Sequence, residues 1–192
     1  NNNITSFAQL DENNVIFSTY SGGIYQLSQH NNSISPVPFN TSLTEYRIMT
    51  LFVDGNTLWV GTRGSGLYSV NLTTNNIIKY KNDPQNMSSL SANSVTDIIK
   101  DKKGNVWVST FHQGLNKLNS DGSFTRYLNN ENNINSGPSS NHILQLLEDE
   151  HGLIWLATFG GGLNRFNPET ETFIHLKHDK NKLNSLSSDL AW

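Results

Sequence analysis

Residues 106–115 read Val106, Trp107, Val108, Ser109, Thr110, Phe111, His112, Gln113, Gly114, Leu115, and this stretch decides the fold because the chain repeats it. Upstream, Leu58, Trp59, Val60, Gly61 and Thr62 lead to Gly64, Gly66, Leu67 and Tyr68; downstream, Ile154, Trp155, Leu156, Ala157 and Thr158 lead to Gly162, Leu163 and Asn164. Trp59, Trp107 and Trp155 follow one another at a step of 48 residues, and so do Thr62, Thr110 and Thr158, and Gly66, Gly114 and Gly162. A fixed period of this length marks a repeat architecture. A degenerate copy comes first: Val15, Ile16, Phe17, Ser18, Thr19, then Gly23, Ile24, Tyr25, with Ile16 in the place of Trp and a shorter step of 43 to the next copy. At the other end, Ser187, Ser188, Asp189, Leu190, Ala191 and Trp192 read as the opening of a further repeat.

Each copy spells four short strands. Val95, Ile98 and Ile99 run into the turn residues Asp101, Gly104 and Asn105, and the Trp strand follows, so the first two strands form a hairpin. Gly114 turns the chain into Leu115, Lys117 and Leu118; Asp121 and Gly122 turn it into Phe124, Arg126 and Tyr127. One small sheet cannot bury both its faces, whereas sheets stacked radially cover each other's faces and shield their edges. The sequence therefore predicts an all-β chain: a β-propeller segment of four blades, each of four antiparallel strands, over residues 1–44, 45–92, 93–140 and 141–188, with 189–192 starting another blade. Four such blades are expected to leave an open arc, its apolar end faces exposed or covered by a second chain.

The recurring residues have structural readings. Trp59, Trp107 and Trp155 supply bulk for packing between blades, a stronger reading than stacking on sugars. Thr62, Thr110 and Thr158, with Asp54, Asp101 and Asp149, read as turn formers and hydroxyls that satisfy backbone groups. The abundant Asn residues, among them Asn1, Asn2, Asn3, Asn129, Asn130, Asn132, Asn133 and Asn135, fall between apolar segments as turn chemistry.

Composition removes several functions. With 13 Lys and Arg against 16 Asp and Glu, the net charge of −3 gives no footprint for a nucleic-acid backbone or an anionic membrane. The absence of Cys removes disulfides, thiolate metal sites and a thiol nucleophile. No apolar run is long enough to span a bilayer, so any membrane anchor is expected outside this segment.

The stretch from Ser89 to Leu115 follows the pattern Ser-Leu-Ser-x-Asn-x-Val, then Asp-x-x-Gly-x-x-Trp-Val-x-Thr, then Gly-Leu. In this it resembles the two-component regulator propeller repeat, a likeness that extends over nearly the whole chain. The resemblance implies part of a larger, seven-bladed ring in the periplasmic sensor region of a bacterial hybrid histidine kinase or membrane-bound diguanylate cyclase. It also implies that the signalling output, and the membrane anchor of the full-length protein, lie in other sequence. No cofactor is implied.

Ligands of propellers usually sit over the central channel or on the face where the loops between second and third strands emerge. There the chain places Tyr20, Arg63, Phe111, His112, Gln113 and Phe159. Aromatic rings stack on the apolar faces of sugars, and an Arg fork pairs with carboxylates, so this rim suits an oligosaccharide or a small anionic ligand. Phe111 and Phe159 occupy equivalent places and also suit packing at the base of the loop. Arg63 and His112 break the repeat and are the better ligand candidates, set against simple solvation. The connections 81–94, 129–142 and 178–189 are expected to bridge blades.

Catalytic and metal motifs are lacking. His175 and His178 share an HxxH spacing on a strand-to-loop segment, which does not aim both imidazoles at one metal. Gly160, Gly161 and Gly162 join strands and open no helix; Asp149 and Glu150 are neighbours in a turn. A periplasmic, ligand-binding sensor module that self-associates through its blade faces is the leading expectation. A propeller lyase or glycosidase, with residues converging from several blades, and a non-catalytic assembly scaffold are the alternatives.

Overall fold

The computed structural model describes residues 3–20, 23–39, 42–43 and 47–191, so Asn1, Asn2 and Trp192 lie outside the described residues. Its strands form four four-stranded sheets, each in simple sequence order. They are β1 (Ile4–Asp11), β2 (Asn14–Thr19), β3 (Ile24–Ser28) and β4 (Ser33–Pro36); β5 (Ile48–Asp54), β6 (Thr57–Thr62), β7 (Leu67–Asn71) and β8 (Ile77–Tyr80). The third sheet has β9 (Val95–Lys100), β10 (Val106–Thr110), β11 (Leu115–Leu118) and β12 (Phe124–Tyr127), and the fourth β13 (Ile143–Glu148), β14 (Ile154–Thr158), β15 (Gly162–Asn167) and β16 (Thr172–Leu176). This is the propeller segment that the repeat predicts.

The chain gathers into two compact units, Asn1–Lys81 with Asn93–Ile98, and Asn82–Ala92 with Ile99–Trp192. In the first, Ile16 and Ile24 of blade one join Ile48, Leu51, Leu58, Val60 and Val70 of blade two in one buried cluster. Ile16, fully buried, does in blade one the packing that Trp does elsewhere. The opposite face of that blade carries Phe7, Phe17 and Tyr25 in a cross-strand line, with Phe7 74% exposed.

In the second unit, Trp107 is 1% exposed and meets Phe166 of the neighbouring blade edge-on, with ring centroids 5.3 Å apart. Tyr127, Phe166 and Phe173 complete the aromatic core. Trp155 occupies the same place in blade four, yet it is only half-buried: its face, with Leu147 and Ile174, is uncovered, and the Arg165 guanidinium lies 5.9 Å above its ring.

Why the repeat residues recur is visible in their hydrogen bonds. The hydroxyls of Thr62, Thr110 and Thr158 donate to the carbonyls of Gly66, Gly114 and Gly162 at 2.7, 3.1 and 2.8 Å, closing each loop between second and third strands. Asp101 and Asp149 do more than form turns. Asp101 Oδ1 accepts the backbone N–H groups of Lys103 and Asn105, and its Oδ2 accepts the Trp107 indole N–H at 2.8 Å. Asp149 accepts His151 and Leu153 N–H and the Trp155 indole in the same way. Asp54 departs from this scheme. Its hairpin turns through Gly55 and Asn56 alone, so Asp54 stands five residues before Trp59, not six, and the buried Trp59 indole nitrogen has no hydrogen-bond partner among the described residues.

The connections are stitched to the blade that follows them. Ser91 N–H donates to Asn116 Oδ1 at 2.9 Å while Asn116 Nδ2 donates to Ser91 Oγ at 2.8 Å. One repeat later, Ser139 and Asn164 make the same reciprocal pair at 2.7 and 2.8 Å. Asn116 and Asn164 are fully buried, so each pair must be complete to be stable. Arg126 adds bonds from its guanidinium to the Ser89 carbonyl and hydroxyl and the Asn86 carbonyl.

The Asp101 cluster makes an acid response predictable. Burial pushes its carboxyl up, but the hydrogen bonds from the Trp107 indole, the Asn105 side chain and two backbone N–H groups together outweigh burial and hold it below the usual carboxylate value. A carboxyl depressed in the folded state contributes stability above its unfolded pKa, and that contribution is lost as pH falls through the folded value. Asp101→Asn is expected to lower the urea midpoint at pH 7 and to shallow the loss of stability between about pH 5 and about pH 2. Equal acid slopes for the variant and the parent chain would show that Asp101 is not the group responsible.

Candidate functional site

The loops between second and third strands are short and held at their bases by the Thr hydroxyls, so they present their middle residues outward. Directly beside each loop runs the start of the next blade's first strand. Arg63 pairs with Ser94, and Phe159 with Leu190, as isolated antiparallel bridges. Phe111 and His142 stand at the intervening step of the same repeat, and their rings stack with centroids 5.3 Å apart at 24°.

This places four rings together in the second unit. His112 meets Phe111 edge-on at 4.5 Å, and His112 and His142 cross at 76° with centroids 4.8 Å apart. Phe159 reaches the same group through His142, at 6.5 Å. His112 Nδ1 and His142 Nε2 are 2.8 Å apart, a hydrogen bond in which one imidazole nitrogen donates and the other accepts. His112 is exposed, Phe111 and His142 are half-buried, and Phe159 is 43% exposed.

The backbone below is firmly bonded. His142 O accepts Phe159 N–H at 2.9 Å, Asn141 O accepts Gly114 N–H at 3.0 Å, and His142 N–H donates to Ser140 Oγ. Gln113 turns its carbonyl to the Ser91 hydroxyl at 2.6 Å and so belongs to the framework of the loop.

Of the sequence candidates, then, Phe111, His112 and Phe159 come together, and His142 joins them. His142 lies 48 residues after Ser94 and 48 before Leu190, and its departure from both was the available signal. Tyr20 and Arg63 belong to the first unit. There the Arg47 guanidinium lies 5.0 Å over the Tyr20 ring, and Arg63 N–H donates to Arg47 O at 2.8 Å. Arg47 links the two residues, and no motif singled it out. Both Arg47 and Arg63 are exposed.

The Tyr–carboxylate pair of the second unit is built into its core. Tyr127 donates to Glu171 Oε1 at 2.7 Å, and burial, then Glu171, pushes its phenol far above its usual value. Its ring packs on Trp107 and Phe166, so it serves the core.

A sequence-family profile described as two component regulator propeller matches residues 89–112 and 137–160. These spans run from the Ser91 and Ser139 latches through the Trp strands to the rim residues. No curated protein matches the chain. Among solved structures, the extracellular domain of BT3049 from B. thetaiotaomicron, assigned to the hybrid two-component systems, aligns with a TM-score of 0.75 at 22% identity, over 93% of this chain and 25% of that one. The extracellular domain of BT4673 from the same organism aligns at 0.66 and 18% identity, over 97% and 29%. PorZ, a surface component of the type-IX secretion system of Porphyromonas gingivalis, aligns at 0.72 and 14% identity, over 97% and 28%. The chain thus spans between a quarter and three tenths of these structures, and at such identities the likeness is one of fold. With the Ser89 to Leu115 pattern laid out in the structure as a blade, and laid out again one step later, the chain carries two segments, 89–112 and 137–160, that match the two-component regulator propeller repeat.

Proposed function

We propose that this chain is part of the extracytoplasmic input propeller of a bacterial signal-transduction receptor, a non-catalytic binding module in the periplasm. The observation that carries this reading is the pair of two-component regulator propeller repeats at 89–112 and 137–160. The structural relative BT3049, named as the extracellular domain of a hybrid two-component system, favours it further. Within the blades, the repeat residues are consumed by packing and turn closure, while the residues that break the repeat stand on the loop rim. A ligand that prefers one arrangement of such a module shifts its population and so passes a signal to an attached output domain.

The ligand class that suits the rim is an oligosaccharide: Phe159 offers an exposed ring, and His112 and His142 offer hydrogen-bonding nitrogens. In the first unit, Tyr20 and Arg63 offer a ring and a cation for an acidic sugar. A thermal-shift screen of this chain against neutral and acidic glycans is expected to show one class raising the melting temperature, by an amount that grows with concentration. Phe159→Ala or His112→Ala should remove a shift that depends on the second unit, and Arg63→Ala one that depends on the first. A screen in which no class shifts the melting temperature, or in which all three variants keep the shift, overturns glycan binding at these residues. Light scattering on the same samples tests self-association through the faces that expose Phe7 and Trp155: a concentration-independent monomer mass would exclude it.

A further inference from the structure

We infer that His112 and His142 form a chelating pair for a divalent late first-row transition ion, of which Cu²⁺ fits best. The inference is independent of whether the chain belongs to a sensor. It rests on two nitrogens, His112 Nδ1 and His142 Nε2, 2.8 Å apart on loops fixed by backbone hydrogen bonds.

Imidazole nitrogens bind metal at about 2.0–2.1 Å. Two of them 2.8 Å apart therefore subtend about 85° at a shared ion. That is close to the right angle between neighbouring ligands of a tetragonal site, the preference of Cu²⁺ and Ni²⁺. A tetrahedral ion such as Zn²⁺ needs the nitrogens about 3.3 Å apart. The existing separation thus selects geometry as well as ligand type, and affinity along the first row peaks at Cu²⁺.

The local chemistry also suits an ion. One of the two nitrogens must be the acceptor in the hydrogen bond and so already carries an unprotonated lone pair. The other releases its hydrogen when the ring takes its second neutral tautomer, with the proton on the far nitrogen, so no net charge has to be lost. The rings cross at 76°, and to bind one ion together both nitrogen lone pairs must turn off the line between the two nitrogens, a movement that the exposure of His112 permits. Phe111 backs the pair, stacked on His142 and edge-on to His112. Among the described residues no third His, Cys, Asp or Glu gathers with another two into a metal cage. Water or a ligand oxygen would complete the coordination, an open arrangement in which the ion could also hold a sugar hydroxyl or a carboxylate.

The test is calorimetric titration of this chain with Cu²⁺ in a non-coordinating buffer, with electron paramagnetic resonance on the product. One ion per chain, with nitrogen superhyperfine splitting, is expected. His112→Gln and His142→Gln should each weaken binding by more than about 10-fold, because losing even an outer partner of a metal ligand costs about 10–100-fold. His178→Gln, which disrupts the only HxxH spacing, should leave binding unchanged. Both pair residues are at or near the surface, so the variants are expected to keep the far-ultraviolet circular dichroism of the parent. No nitrogen-coordinated Cu²⁺ in the parent chain, or undiminished affinity in the double variant His112→Gln/His142→Gln, would overturn the assignment.

Discussion

Trp107→Ala is expected to cost about 3–5 kcal/mol in a urea-denaturation measurement, and Trp155→Ala less than about 2 kcal/mol, although the two residues hold the same place in the repeat. Trp107 is 1% exposed, and its ring meets Phe166 at 5.3 Å and Tyr127 at 5.9 Å. Removing it opens a cavity among aromatics and takes an N–H from the carboxylate of Asp101, itself 6% exposed. A buried acceptor stripped of a partner adds about 1–3 kcal/mol to the transfer and cavity terms. Trp155 also donates to its Asp, at 2.8 Å, but its face looks outward with Leu147, which is 65% exposed. Water fills the space that the ring leaves, and no cavity forms. Equal costs for the two variants would show that the hairpin bond to Asp, which they share, dominates over packing, which they do not.

The sequence made visible those parts of the fold whose causes are local. A Thr hydroxyl bonding the carbonyl of a Gly four residues on, or an Asp accepting an indole six residues on, needs nothing beyond one loop or hairpin. Such needs recur with every blade, and that is why Trp, Thr and Gly keep the 48-residue step. The Asp54 equivalence failed for a local reason too: a hairpin shortened by one position moves the carboxylate out of line with Trp59. The site was only half legible. Phe111, His112 and Phe159 sit on loops that the period locates, but His142 reaches His112 from 30 residues away, across a blade boundary. The same holds for the Ser91–Asn116 latch, 25 residues apart, and for Arg47 over Tyr20. A repeat shows where blades are and which positions depart from it, as His142 does; which side chains of adjacent blades touch depends on how one sheet is set against the next.

Gly114→Ala should be nearly as damaging as loss of Trp107, about 3 kcal/mol or more, and its comparison with Gly122→Ala separates two causes. Both glycines have positive φ, 68° at Gly114 and 84° at Gly122, so a side chain at either is strained by about 1–2 kcal/mol. They differ in surroundings. A methyl carbon on Gly122 meets nothing within 4 Å, whereas one on Gly114 lies 2.3 Å from the Tyr127 carbonyl oxygen and 3.1 Å from Leu128 Cδ2. Backbone of the fourth strand cannot swing aside as a flexible side chain does, so the loop itself must lift. That loop carries Phe111 and His112, and Gly114 N–H is bonded to Asn141 O, next to His142. The lift should therefore also part the two imidazoles. Gly114→Ala is expected to weaken Cu²⁺ binding along with stability, while Gly122→Ala leaves the ion untouched at a cost of about 1 kcal/mol. If the two variants are equally mild, the close approach of the Gly114 loop to Tyr127 is not what fixes the rim. If Gly114→Ala is costly yet binds Cu²⁺ as before, the pair is positioned by His142's own strand, through the Phe159–His142 backbone bond.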